Sequence, residues 1–255
     1  MRWVVLAKLV LAVGLTPLSP DRAAAATDGD FADPSGTVSF LNVRDEHGLF
    51  GSAHASADSL DFSPRDFEAR CASCPDQGVS RDSLTLDIQA RGDRRIGYVK
   101  VREALDYTLQ SFDPDGFAAV QAFVTIRIAI TEIDGRAVDL PSKAYFVEFQ
   151  PSSVASVLGS GMAQGVLVGS TGLVDLRALV DESGEIGLAT RVRMQLGTVL
   201  FAFAEGDGSV ARLEVGDADW TAWTMGPYQP VPEPSTSLLM MLGLAALSRR
   251  PRWDR

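Results

Sequence analysis

The residues with the sharpest chemistry lie close together. His47, His54, Cys71 and Cys74 are all the histidines and cysteines of the 255-residue sequence. Two imidazoles and two thiolates suffice for a tetrahedral zinc site, but a His-x6-His ahead of a Cys-x2-Cys follows no zinc-finger order. Cys71-Ala-Ser-Cys74 has two further uses. Redox chemistry needs a thiolate stabilised at a helix N-terminus, and Pro75 directly after Cys74 opposes a helix beginning there. In an oxidising compartment the same spacing closes a disulfide across a tight turn. The expectation is therefore a Cys71–Cys74 disulfide and no metal site.

Other candidates are weaker. Asp113-Pro-Asp-Gly116 and Glu205-Gly-Asp-Gly208 resemble pieces of calcium loops, yet neither completes the twelve-residue pattern with its distal Glu. Both read as turns. Trp220 and Trp223, with Tyr228 near, could form an aromatic platform for sugars, but at spacing three on a strand the two indoles point to opposite faces. Core packing for one and edge cover for the other is the plainer reading. Gly159-Ser160-Gly161 lacks the Gly-x-Ser-x-Gly elbow. A histidine-based triad would have to use His47 or His54. Carboxylate pairs cannot be matched across a fold from sequence, and Gly-rich phosphate loops are absent. No catalytic residue is assigned, no cofactor is expected, and the chain reads as a non-enzyme.

The elements that must position these residues are strands. Val120–Ile133 alternates most clearly, with Val124, Ile126, Ile128 and Ile130 on one face and Thr125, Arg127 and Thr131 on the other. Further strands are expected at Thr37–Val43, Ser83–Ala90, Ile96–Val101, Ala144–Phe149, Gly165–Gly169, Leu173–Val180, Leu188–Leu196, Thr198–Ala204, Val210–Val215 and Trp220–Thr224. Asp134-Gly135 and Gly206-Asp207-Gly208 are the best hairpin turns. Short helices fit only Pro64–Ala69 and Ser152–Leu158. Residues 45–83 are poor in strand signals and read as a loop-like subregion. About ten short strands separated by turns predict a mainly β domain over residues 27–225, an antiparallel sandwich (jelly-roll-like) or a barrel.

Charge bounds the partners. The chain carries −10, and its two ends, residues 1–26 and 231–255, each carry +2, which leaves −14 on residues 27–230. So acidic a body repels phosphate backbones, which argues against nucleic acid. The N-terminal end has Arg2 and Lys8, an apolar run Leu9–Leu18 and the cluster Ala23–Ala26. This is the pattern of a signal peptide over residues 1–26, cut by signal peptidase after Ala25 or Ala26. Lys8 interrupts the run, so a membrane-spanning reading falls short of the roughly 18–20 apolar residues required.

After a stiff linker at 226–230 comes Val231-Pro232-Glu233-Pro234, an apolar stretch at Ser237–Ser248, and Arg249, Arg250 and Arg252. The prolines fix an extended segment that an enzyme groove can take up. The arginines hold their end on the cytoplasmic side. Twelve residues make a helix of roughly 18 Å against a hydrocarbon core of about 30 Å, which suits a transient anchor.

These parts, in this order, resemble the PEP-CTERM sorting signal, with Pro232, Glu233 and Pro234 as the tripeptide and Arg249, Arg250 and Arg252 as the basic stop. The resemblance covers about a tenth of the chain. Pro251 interrupts the basic cluster, and Trp253-Asp254-Arg255 extends past it. The resemblance implies an exported protein, held briefly at the inner membrane and processed by an exosortase-type enzyme before reaching the cell surface or extracellular matrix. The expected role is structural or adhesive and linked to exopolysaccharide or biofilm. The alternatives are a secreted carbohydrate- or calcium-binding module and a secreted hydrolase.

Overall fold

Apolar residues at every second position bury one face of a strand, and along this chain they do so over unusual lengths. The computed structural model describes residues 29–74 and 76–226. The signal segment with Ala25 and Ala26, linker residues 227–230, and the tail with Val231, Pro232, Glu233, Pro234, Arg249, Arg250 and Arg252 lie outside the described residues.

In chain order the elements begin with β1 (Gly29–Phe31), β2 (Val38–Asp45), β3 (Ser52–Ser56), β4 (Ser59–Ser63), β5 (Glu68–Ala72), β6 (Gly78–Ala90), β7 (Arg95–Ser111) and β8 (Phe117–Ile133). They continue with β9 (Arg136–Ala137), β10 (Lys143–Phe146), β11 (Glu148–Gln150), β12 (Val154–Leu158), β13 (Gly161–Ser170) and β14 (Val174–Asp175). Helix α1 (Leu176–Ser183), β15 (Ala189–Glu205) and β16 (Val210–Met225) complete them.

Two antiparallel sheets pack as a sandwich, one of the two expected architectures. The first has the order β1-β2-β6-β15-β8-β10, with β9 and β12 also on β8. The second has the order β11-β13-β7-β16-β4-β3, with β14 on β7 and β5 on β16. The long strands alternate between them: β6, β8 and β15 lie in the first, β7, β13 and β16 in the second. Neighbours in a sheet are therefore distant in sequence, as with Thr198 of β15 opposite Asp82 of β6.

The core is the apolar filling between the sheets. Val124, Ile126, Ile128 and Ile130 are at most 3% exposed, as their alternation predicts. Trp220 packs in the same layer, 4.8 Å from the Phe62 ring centroid and 6.4 Å from that of Phe50.

Several expectations need correction. Residues 45–83 hold β3, β4, β5 and the start of β6, because five-residue strands with at most two large apolar residues each are too short to reveal their period. Neither short helix forms: Ser152–Leu158 carries β12, and Pro64–Ala69 leads into β5. Leu173–Val180 is mostly helix instead of strand. Asp175 caps α1 by accepting from the Arg177 and Ala178 amides, and Gly184 closes it in the left-handed region. Leu188–Leu196 and Thr198–Ala204 are one strand, since the ladders run on through Gly197, and Val210–Val215 and Trp220–Thr224 are one strand that absorbs a bulge at Gly216. Ala144–Phe149 divides at Val147, with β10 in the first sheet and β11 in the second. Asp134-Gly135 does close a hairpin, between β8 and β9. Gly206-Asp207-Gly208 instead carries the chain from β15 in one sheet to β16 in the other.

Candidate functional site

The strongest constellation forms where β2 ends and β6 runs on without it. Asp45 closes β2 opposite Leu84, and Asp82 lies two residues further along β6. Both face inward and are nearly inaccessible, at 2% and 4%. Buried carboxylates need donors, and the turn after β2 supplies them. Asp45 accepts from the Gly48 amide at 3.0 Å and the Phe50 amide at 2.9 Å. Asp82 accepts from the amides of His47 (3.1 Å), Leu49 (2.9 Å) and Ser83 (2.7 Å). Residues 46–50 are thus wound around two carboxyl groups.

The two carboxyls are near neighbours. Burial, then the neighbouring Asp82 carboxyl, push the Asp45 carboxyl up to about 7 against the pull of the Gly48 and Phe50 amides. Asp45 thus keeps its proton to a higher pH than an ordinary aspartate does.

On the solvent side, the His47 Nδ1 lies 3.1 Å from the Asp82 Oδ1, and the ring is half exposed. A carboxylate at Nδ1 fixes an imidazole's orientation and leaves Nε2 for a ligand. Ser83 Oγ donates to Glu46 Oε2 at 2.6 Å. Its hydroxyl is committed to Glu46 and not to His47, so no Ser–His–Asp relay is formed.

Glu46, His47, Arg81 and Ser83 border a groove of about 310 Å³ on the outer face of the first sheet. Its floor includes Gly197, opposite Ser83 on β6 and Thr125 on β8. A Cβ at Gly197 would meet only Thr125 Oγ1, at 3.5 Å, so the missing side chain leaves open space. Next along β15, Val199 faces Arg81 and Phe123, and Phe201 faces Val79 and Gln121. The Phe123 ring meets Phe201 edge-on at 5.8 Å, and Phe201 stacks with Phe203 at 6.3 Å. Phe123 is 50% exposed. The groove thus runs into an aromatic stripe, exposed at Phe123 and half-buried at Phe201 and Phe203, with hydrogen-bonding groups at one end and apolar faces at the other.

Beneath the groove, Thr198 faces the core and donates to Glu103 Oε1 at 2.8 Å, linking β15 to β7 across the sandwich. Glu103 is fully buried and its Oε2 has no partner. Burial, against the Thr198 bond, pushes its carboxyl up to about 7. Away from the groove, Asp87 is held low. Burial alone would raise it, but hydrogen bonds from Arg193, Asn42 and Arg191 outweigh that effect.

Cys71 and Cys74 form the expected disulfide, with Cα atoms 5.6 Å apart. This removes both thiolates from the zinc alternative, whose histidines are also apart: His47 joins Asp82, while His54 on β3 faces Asp61 of β4. The two acidic turns, 113–116 and 205–208, come together, since a Cβ at Gly206 would lie 2.7 Å from Asp113 Oδ2. Among the described residues, no three His, Cys, Asp or Glu side chains converge on a metal-sized site. Trp220 is buried at 1% and Trp223 is 41% exposed, on opposite faces as their spacing requires. Tyr228 lies outside the described residues.

Sequence reasoning did not find Asp45, Asp82 or Glu103. A signal existed for Glu103: continuing the inward positions Val99 and Val101 of β7 by two residues places it in the core. Nothing local marks Asp45 and Asp82 as a pair.

Residues 230–252 match the PEP-CTERM protein-sorting motif. The match is confined to the tail; such a tail implies an exported protein, transiently anchored in the membrane and processed by an exosortase-type enzyme. Among the described residues no helix is long and apolar enough to cross a membrane. No curated protein matches the chain. Among solved structures, that of infectious bursal disease virus Gx strain is 9% identical over 76% of this chain and 52% of that one, with a TM-score of 0.22. That of the Gt strain is 10% identical over 80% and 59%, with a TM-score of 0.18. The chain thus spans about half the length of these solved chains, and likeness at such scores carries no argument about fold or function.

Proposed function

We propose that this chain is a structural and adhesive protein of the cell surface or extracellular matrix, delivered there through exosortase processing of its tail, and that it attaches to exopolysaccharide by the outer face of its first sheet. The observation that carries this reading is the groove at His47, with Glu46, Arg81 and Ser83 at its rim, opening onto the Phe123–Phe201–Phe203 stripe. Ligand sites combine apolar faces with a few placed polar groups, and a sugar ring presents the complementary pair of surfaces.

The test has two arms. Pro232→Ala with Glu233→Ala should abolish C-terminal processing, so that mass spectrometry finds Arg255 retained where the unaltered chain has lost it. His47→Ala with Phe123→Ala should release the exported protein from its producer's exopolysaccharide without changing its circular dichroism. Undiminished retention would refute the assignment of this face.

A second reading, a secreted hydrolase, draws on the Asp82–His47 pair, which has the form of an oriented general base. It predicts release of reducing ends from the same polysaccharide, lost in His47→Ala.

A further inference from the structure

The opposite outer face carries a second aromatic pair. Trp223 on β16 stands directly opposite Tyr98 on β7. Both point away from the core and are 41% and 37% exposed. Directly opposed residues on neighbouring strands have Cβ atoms about 5 Å apart, so the two rings occupy one patch.

What borders that patch identifies its occupant. The next outward pair along the strands is Lys100 and Thr221, with Ser59 beyond on β4. The pair after that is Arg102 and Asp219, with Asp61 and then His54 continuing the row. Arg102 Nη1 lies 3.4 Å from the Asp217 carboxylate and 3.5 Å from that of Asp219. A hydrophobic protein surface or a lipid layer would meet ammonium, guanidinium and carboxylate groups there and would strip them of water. A pyranose chain has the matching pattern, C–H faces that lie on aromatic rings and hydroxyls that exchange hydrogen bonds with just such side chains. The −14 on residues 27–230 disfavours a polyanion, which leaves a neutral glycan.

We infer that Tyr98 and Trp223 form a second glycan-contact site, and that the protein cross-links neutral polysaccharide chains. The inference rests on the proposed glycan contact at the groove of the first sheet. The two sites face opposite directions from sheets packed about 10 Å apart, so two chains can be held at once, one on each face. Two weak sites on one rigid body also raise avidity for a polymer without new contacts.

The experiment uses the exported protein and a panel of immobilised neutral polysaccharides (glucans, xylans and galactomannans), with alginate as the polyanion. Light scattering then follows the soluble form of the best binder. The unaltered protein should bind at least one neutral polymer and raise its scattering, and should leave alginate alone. Trp223→Ser with Tyr98→Ser should weaken binding tenfold or more and abolish the scattering rise, as should His47→Ala with Phe123→Ala on the other face. All these positions are surface-exposed, and unchanged melting confirms folding. If the Trp223/Tyr98 variant binds and scatters as before, the second site is refuted while the groove reading stands. If the groove variant binds and scatters as before, the groove reading fails, and two-site cross-linking through the groove is overturned with it. Absence of binding to every neutral polymer, or preference for alginate, overturns both.

Discussion

Replacing Glu103 by glutamine should flatten part of the protein's pH-stability curve. Glu103 sits between the sheets, fully buried, with Oε1 on Thr198 and Oε2 without a partner. Its carboxyl is raised from 4.5 to about 7, chiefly by burial. A raised carboxyl pKa means that the folded chain keeps a proton that the unfolded chain gives up. Its contribution is fully present below about 4.5 and is lost as pH climbs to about 7, with no further change above that. At about 1.4 kcal/mol per pH unit the loss is about 3 kcal/mol, a sizeable share of a typical total of about 5–15 kcal/mol. In Glu103→Gln the side chain no longer titrates, and its amide oxygen can still accept from Thr198. Urea unfolding followed by circular dichroism between pH 4.5 and 8 should show the unaltered chain losing about 3 kcal/mol more than the variant across this window. In a domain of this size that corresponds to roughly 6–12 °C in Tm. Asp45 also sits near 7, so the comparison must be the difference between the two curves and not the slope of either. Parallel curves would refute the reasoning and show that water reaches Glu103.

Ile128→Asp should unfold the sandwich, because it buries an unpaired carboxylate at a position 1% exposed. Arg127→Asp, on the exposed face of the same strand, should change stability by about 0.5 kcal/mol or less; equal effects in urea melts would contradict the strand assignment. The denatured exported protein should react with no thiol reagent until reduced, since Cys71 and Cys74 are bonded to each other. Chelators should leave its melting temperature unchanged, and a fall would revive the zinc site. Gly197→Val should fill the groove floor, weakening polysaccharide retention while the Tm stays within a few degrees, because the new Cβ has only Thr125 Oγ1 at 3.5 Å to meet. Retention unaltered by that side chain would place the ligand elsewhere.

The strand character of Val120–Ile133 was legible because alternation is local, and a face that alternates must be buried on one side. The opposed directions of Trp220 and Trp223 followed from the same period. Boundaries were less legible. Gly197 and Gly216 look like breaks in sequence, but ladders on both sides run through Gly197, and β16 resumes its pairing with β7 after a bulge at Gly216. The capping pair Asp175 and Gly184 was present in the sequence, yet the apolar run Leu173–Val180 concealed an eight-residue helix.

By itself the sequence determined the sorting tail, the acidic body, the β character and the disulfide across Cys71–Cys74, since each depends on residues adjacent or a few positions apart. Tertiary structure alone decided which strands became neighbours, because each long strand crosses to the other sheet before the next begins. That alternation brings Asp45 to Asp82, Glu103 to Thr198 and Trp223 to Tyr98. A carboxyl group's pKa and an aromatic ring's partner are set by what lies within a few ångströms, and here those neighbours come from dozens to more than a hundred residues away.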